Sequence, residues 1–179
     1  MKHIVVVATG GTIAGVGEKG KTVAYHAGEI KVRDILNSIN VDHLARISEV
    51  QLMNVDSNEM NEDSWINLAN EINSLIKQDD VDGIVVTHGT DTIEETAYFL
   101  NLTINSYKPV VVTGAMRPAT ATSADGPYNL YQAIALASCD DAYGQGVMVL
   151  FSNTIYSGRD VQKVNNYKID AIDQKAFGC

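Results

Sequence analysis

VATGGTIAG at Val7–Gly15 and VVTHGTDTIEET at Val85–Thr96 decide how this chain is read. The first leaves the apolar run Ile4–Val7, and the second grows out of Gly83–Val86. Each is a β-branched run entering a Gly/Thr turn, and the second continues into a helix start. In an open parallel sheet, ligands sit at the carboxyl ends of the strands, near the point where strand order reverses. Two strands therefore deliver Thr12 and Thr90 to one crevice, with Asp91 beside the second. Hydroxyls next to a carboxylate suggest nucleophilic chemistry on a small polar molecule.

Outward from these segments, strands and helices alternate. Strands are expected at Ile4–Ala8, Ile47–Val55, Gly83–Thr87, Pro109–Thr113 and Gly146–Phe151. The last three are continuous valine-rich runs, as for strands buried on both faces. Helices are expected at Glu29–Ile39, Glu62–Lys77, Thr92–Asn105 and Ala124–Ser138. Glu62–Lys77 shows the clearest three-four rhythm, in Trp65, Leu68, Ala69, Ile72, Leu75 and Ile76, with Asn61 or Asp63 available as its cap. The pattern predicts an α/β fold: a Rossmann-like, flavodoxin-like, mostly parallel sheet flanked by helices. After Phe151 the sequence reads as polar loops with one short strand-like patch. The stretch 152–179 reads either as an irregular tail or as the lead into a second domain.

Composition narrows the function classes. The 179 residues carry 13 basic and 22 acidic side chains, a formal charge of −9. No basic run exists to neutralise phosphates, which argues against nucleic acid and anionic membranes as partners. No apolar stretch approaches the roughly 18 residues of a membrane span. Ile4–Ala8 is shorter than a secretory core of roughly 7–15 residues, so a cytoplasmic chain is expected, or a periplasmic one if a signal has been removed. Cys139 and Cys179 have no ligand spacing, and His3, His26, His43 and His88 are scattered, so no metal is expected.

The turn residues each have a bland reading and a chemical one. Gly10 and Gly11 allow a sharp turn and close approach of a substrate. A GGT alone, however, reads more simply as a turn with a capping threonine. Asp91, with Glu94 three residues on, fits a capping box, and fits equally a carboxylate that binds an ammonium. His88 has no acid placed beside it and reads as a structural hydrogen bonder. Lys163, in GRDVQK, reads as a base if buried near the threonine and as a surface charge otherwise. Tyr25 lies in the loop after Thr12. Gly15–Thr22, GVGEKGKT, matches a phosphate-binding loop in full. Its strand ends by Ala8 and no helical period follows, so a mobile Gly/Lys loop over the site is expected, with a nucleotide-binding module as the alternative.

Taken together, ATGGTIAG (Ala8–Gly15), Tyr25, NVDSNEMN (Asn54–Asn61), THGTDTIEETAYFL (Thr87–Leu100), PVVVTGAMRP (Pro109–Pro118), SADGPYNLY (Ser123–Tyr131) and GRDVQK (Gly158–Lys163) resemble the bacterial-type L-asparaginase family over essentially the whole chain. The resemblance implies hydrolysis of L-asparagine to L-aspartate and ammonia without metal or cofactor. It implies a threonine nucleophile, Thr12, with Tyr25 beside it on a lid loop, and a second trio of Thr90, Asp91 and Lys163. It implies substrate contacts from Gly11, Ser57 (α-carboxylate), Asn58 and Asp91 (α-amino group), Thr90, and the Ala115 carbonyl (leaving amide). It implies a homo-oligomer, a dimer of dimers, with sites completed between subunits. A non-catalytic amino-acid sensor is the remaining alternative.

Three departures from the family pattern matter. Asp56 stands where a small residue is usual, and Asn58 where glutamine or glutamate is usual. The shorter Asn58 is expected to disfavour glutamine relative to asparagine. The third is the family's smaller C-terminal α/β domain, which is absent from these 179 residues. The chain then reads as the N-terminal domain, 1–179, with little activity alone.

Overall fold

The computed structural model describes residues 1–22 and 24–174. Strand β1 (His3–Gly10) is buried along its whole length. It leads through a short 3-10 turn, Thr12–Ala14, into a small hairpin of β2 (Val16–Gly17) and β3 (Tyr25–His26). Helix α1 (Val32–Leu36), β4 (Arg46–Val55), α2 (Glu62–Ile76) and β5 (Gly83–Thr87) follow. Then come α3 (Ile93–Thr103), β6 (Val110–Thr113), α4 (Gly126–Ala137), β7 (Val147–Phe151) and β8 (Thr154–Ser157). A second hairpin, β9 (Val161–Lys163) with β10 (Ile172–Gln174), closes the described chain.

The main sheet has the order β4-β1-β5-β6-β7-β8. All its pairings are parallel except the last, β7 with β8. From β1 the chain moves to one neighbour, β4, and then returns across β1 to β5 on the other side. The order therefore reverses at β1/β5, the place where a flavodoxin-like sheet holds its ligand. Thr12 follows β1 and Thr90 follows β5, so both lie at this point.

Alternation along β1 divides the core in two. Ile4, Val6 and Ala8 pack with Val85, Val111 and the apolar sides of α1 and α4. Val5 and Val7 pack with Ile84, Val86, Val112, Phe151 and the inner sides of α2 and α3. Residues two apart share one face of a strand, so one β-branched run feeds both layers.

Three sequence expectations are corrected, and two open choices are decided. The helix expected at Glu29–Ile39 shrinks to α1 because Lys31, its N-cap, is still extended (φ −73°, ψ 147°), while Glu29 and Ile30 bind back to the Ala14 carbonyl at 2.8 and 2.9 Å. The helix expected at Thr92–Asn105 ends at Thr103, since Ile104 is already extended. The described part of the stretch after Phe151, 152–174, is not a run of loops; the rest of the tail, 175–179, lies outside the described residues. Ser152 and Asn153 both take left-handed backbone (φ 46° and 66°), making a two-residue turn that folds β8 back on β7. Gly15–Thr22 is no phosphate loop, because it enters the β2–β3 hairpin and no helix follows. Asn61, rather than Asp63, caps α2, accepting from Ser64 N at 3.1 Å.

The two-layer core makes a stability prediction. Ile72 is 0% exposed under the sheet, whereas Ile66, on the same helix, is 52% exposed. Ile72→Ala is expected to cost about 2–5 kcal/mol and Ile66→Ala less than about 0.5. Urea unfolding of the two variants checks this; equal losses would contradict the packing.

Candidate active site

Backbone contact between two loops creates the crevice. Gly11 has φ 80°, and a Cβ built on it would lie 2.4 Å from Gly89 Cα and N. A Cβ on Gly89 would lie 2.6 Å from Ser57 Cβ and Oγ. Any side chain at these two positions would force apart the loops after β1, β4 and β5. Gly11 N also donates to Val55 O at 2.9 Å, tying the first loop to the end of β4.

Each threonine has its own partner. Thr12 is buried at the start of the 3-10 turn, and its Oγ1 lies 2.8 Å from Tyr25 Oη. Tyr25 is brought there by β3, whose hairpin is held back by the bond from Gly28 N to Gly11 O. Thr90, also buried, accepts a hydrogen bond of 2.8 Å from Lys163 Nζ. The same ammonium forms a close ion pair with Asp91. Burial acts to raise the Asp91 carboxyl, but the Lys163 ammonium outweighs it and holds Asp91 below the usual carboxylate range. Asp91 is thus an anion at neutral pH, and its side chain remains 46% exposed. Because Thr90 Oγ1 accepts from Lys163, its own hydrogen is left to point elsewhere.

The loop after β4 supplies the rest. Ser57 Oγ accepts from Asp91 N at 3.2 Å, which leaves its hydroxyl hydrogen to donate to an anion. Asn58 Nδ2 donates to Asp91 Oδ2 (3.1 Å) and to Asp56 Oδ1 (3.0 Å), so its two amide hydrogens are spent on two carboxylates. The Asn58 carbonyl oxygen is then the group left to accept from a cation. Asp56 Oδ1 also takes Asn58 N at 3.0 Å. Ala115 is buried in the loop after β6. That loop is pinned by Asp125, which accepts from Met116 N and Arg117 N at 2.9 Å, and by Asn129, which donates to Gly114 O at 2.9 Å.

The structure therefore brings Gly11, Thr12, Tyr25, Ser57, Asn58, Thr90, Asp91 and Lys163 together around one seam. Of the two readings of Asp91, the cap fails: the N-cap of α3 is Thr92, with no side-chain cap bond. Glu94, the other half of that capping box, instead accepts from Lys163 N at 2.6 Å and so holds the β9 hairpin against α3. Sequence reasoning missed Glu94, Asp125 and Asn129 as supports. The four-residue spacing of Asp125 and Asn129 within SADGPYN was the available signal. Among the described residues, no group of three or more His, Cys, Asp or Glu is arranged to hold a metal.

His88 sits beneath the seam as the structural residue expected. It is fully buried between Gly89 O (2.7 Å) and Thr96 Oγ1 (2.9 Å). Burial pushes its imidazole down to about 4, against the opposing pull of the Gly89 carbonyl. Between that value and the ordinary 6.5, the unfolded chain binds a proton that the folded chain refuses. Stability is therefore full above the upper value and falls as pH drops through the window, by about 3 kcal/mol in total. Urea unfolding across this range should show that slope, and His88→Asn should flatten it; an unchanged slope would refute the assignment.

The chain is similar to known proteins over nearly its whole length. A family model described as "Asparaginase, N-terminal" matches residues 3–179. L-asparaginase 2 of Bacillus subtilis (strain 168) is 46% identical over 180 residues, covering 99% of this chain and 48% of that protein. Glutaminase-asparaginase of Acinetobacter glutaminasificans is 47% identical over 163 residues, covering 90% of this chain and 49% of that protein. The crystal structure of a probable cytoplasmic L-asparaginase from Campylobacter jejuni superposes with a TM-score of 0.95 at 46% identity, over 97% of this chain and 54% of that one. The chain spans about half the length of the curated relatives it matches. On its sequence, its sheet order and the family model that matches nearly its whole length, the chain belongs to the asparaginase family and corresponds to its N-terminal domain.

Proposed function

We propose that this chain carries the catalytic half of an L-asparaginase, which hydrolyses L-asparagine to L-aspartate and ammonia. The observation that carries the reading is the seating of two threonine hydroxyls on touching loops, one paired with Tyr25 and one with the Lys163–Asp91 ion pair. The substrate is a small zwitterion. Its α-carboxylate suits the Ser57 hydroxyl, and its α-ammonium suits Asp91 and the Asn58 carbonyl oxygen. The Ala115 carbonyl accepts from the leaving amide. Gly11 brings backbone alone beside Thr12, because without a Cβ it can rest against Gly89.

Thr12 Oγ1 attacks the side-chain amide carbon. The C–N bond breaks, ammonia leaves with the threonine proton, and an ester to Thr12 remains. Tyr25 is the adjoining hydroxyl through which that proton moves. Water then adds to the ester carbon, the C–O bond breaks, and aspartate leaves as Thr12 regains a proton. Thr90, oriented by the Lys163 ammonium, positions the water. No step needs a metal or cofactor. We further propose a homo-oligomer, a dimer of dimers, and a cytoplasmic setting like that named for the Campylobacter jejuni protein.

The test is ammonia release from L-asparagine. It is measured with the 179-residue chain alone and with the same chain carried in a polypeptide of its relatives' length. Activity is expected in the longer form and little in the shorter. Thr12→Ala and Thr90→Val are each expected to lower kcat about 1,000-fold or more. Asparagine is expected to be preferred over glutamine, because Asn58 is held short by Asp56 and Asp91. Silence of the longer form would overturn the reading, and equal efficiency on both amides would overturn the preference.

A further inference from the structure

Trp65, Thr96 and His88 have no role in binding or reaction as described above, yet they form one line of hydrogen bonds ending at the crevice. Trp65 Nε1 lies 2.8 Å from Thr96 Oγ1, and that oxygen lies 2.9 Å from His88 Nε2. His88 Nδ1 lies 2.7 Å from the Gly89 carbonyl. Thr96 and His88 are fully buried. The proton positions follow from the end groups, since an indole N–H only donates and a carbonyl only accepts. Nδ1 must carry the ring hydrogen, so Nε2 accepts from the Thr96 hydroxyl, whose oxygen in turn accepts from Trp65. Every link then has one direction. Burial of the imidazole keeps the ring neutral, which preserves that direction at neutral pH.

The far end of the line is the residue least able to hold itself. Gly89 is glycine because Gly11 and Ser57 press on it, and glycine is the backbone with the widest choice of conformation. Drawing its carbonyl toward His88 fixes the planar Gly89–Thr90 peptide, whose N–H points the opposite way. Thr90 and Asp91, the two groups that meet Lys163, hang from that peptide. At the other end Trp65 stacks on Phe99, with ring centroids 6.1 Å apart, so α2 and α3 anchor the line.

We propose that Trp65, Thr96 and His88 are positioning residues, a one-way hydrogen-bond chain that locks the Gly89 peptide and so aims Thr90 and Asp91 at the substrate. This rests on the amidase reading above. Thr96→Val keeps the shape and removes both links, while Thr96→Ser keeps both. NMR of the 179-residue chain should show His88 as the Nδ1–H tautomer in the wild type and in Thr96→Ser. In Thr96→Val the His88 Nε2 resonance should shift as it loses its donor, and the amides of Gly89, Thr90 and Asp91 should be displaced, with Ile134 in the other core layer unmoved. In the longer, active form, Thr96→Val should lower kcat about 10- to 100-fold with KM for L-asparagine within about twofold, and Thr96→Ser should recover most of it.

Unmoved amides together with an unchanged kcat in Thr96→Val would overturn the proposal. So would a serine variant as slow as the valine one, which would mark Thr96 as packing alone. If Thr96→Val does not fold, His88→Asn, which breaks the link to Thr96, is read by the amides of Thr90 and Asp91 and by kcat. A wild-type protein that releases no ammonia in any form overturns the amidase reading; the displacement of the Thr90 and Asp91 amides then decides the positioning role by itself.

Discussion

Gly11 resting on Gly89 is the constraint on which the site depends. The strands that carry these loops are hydrogen-bonded neighbours, β1 and β5, in register from Ile4↔Gly83 to Ala8↔Thr87. Adjacent strands lie about 4.8 Å apart, so loops leaving the same end collide unless one gives way. Here both do, by dispensing with Cβ at the contact. The gain is that a buried hydroxyl on each loop, Thr12 and Thr90, faces the same seam. Neither loop could supply such a pair alone.

Charge is distributed so that the seam holds its one ammonium tightly. The chain is acidic overall, and Lys163 is held by an ion pair with Asp91 and by the Thr90 hydroxyl. Its backbone is fixed separately by Glu94. Asp91 in turn receives Lys163 on one oxygen and Asn58 on the other. Ions inside a partly buried network keep their places better than isolated surface pairs, because each polar atom has a partner. The arrangement fixes geometry before any ligand arrives, the condition that electrostatic catalysis requires.

Most of the sheet was legible because buried parallel strands are written as continuous β-branched runs. Gly83–Thr87 and the valines at 110–112 leave no polar face to misread. Thr12, Thr90 and Asp91 were legible because they follow such runs directly. The helix expected from Glu29 was misread because its periodicity is real but Glu29 and Ile30 are drawn to Ala14 and Lys31 stays extended, so the helix starts only at Val32. The turn at Ser152–Asn153 was missed because neither residue is glycine, although both take left-handed backbone.

The sequence by itself determined the α/β class, the positions of the strands and the threonines that leave their ends, since these depend on local pattern and chain connectivity. Tertiary structure alone decided what each polar group does. Asp91 and Glu94 have the spacing of a helix cap, and only the arrival of Lys163 from a hairpin about seventy residues away turns both toward it. The role of His88 likewise depends on Thr96 and on burial. Hydrogen bonds and ion pairs act over a few ångströms in space, and the partners that satisfy them here lie far apart along the chain.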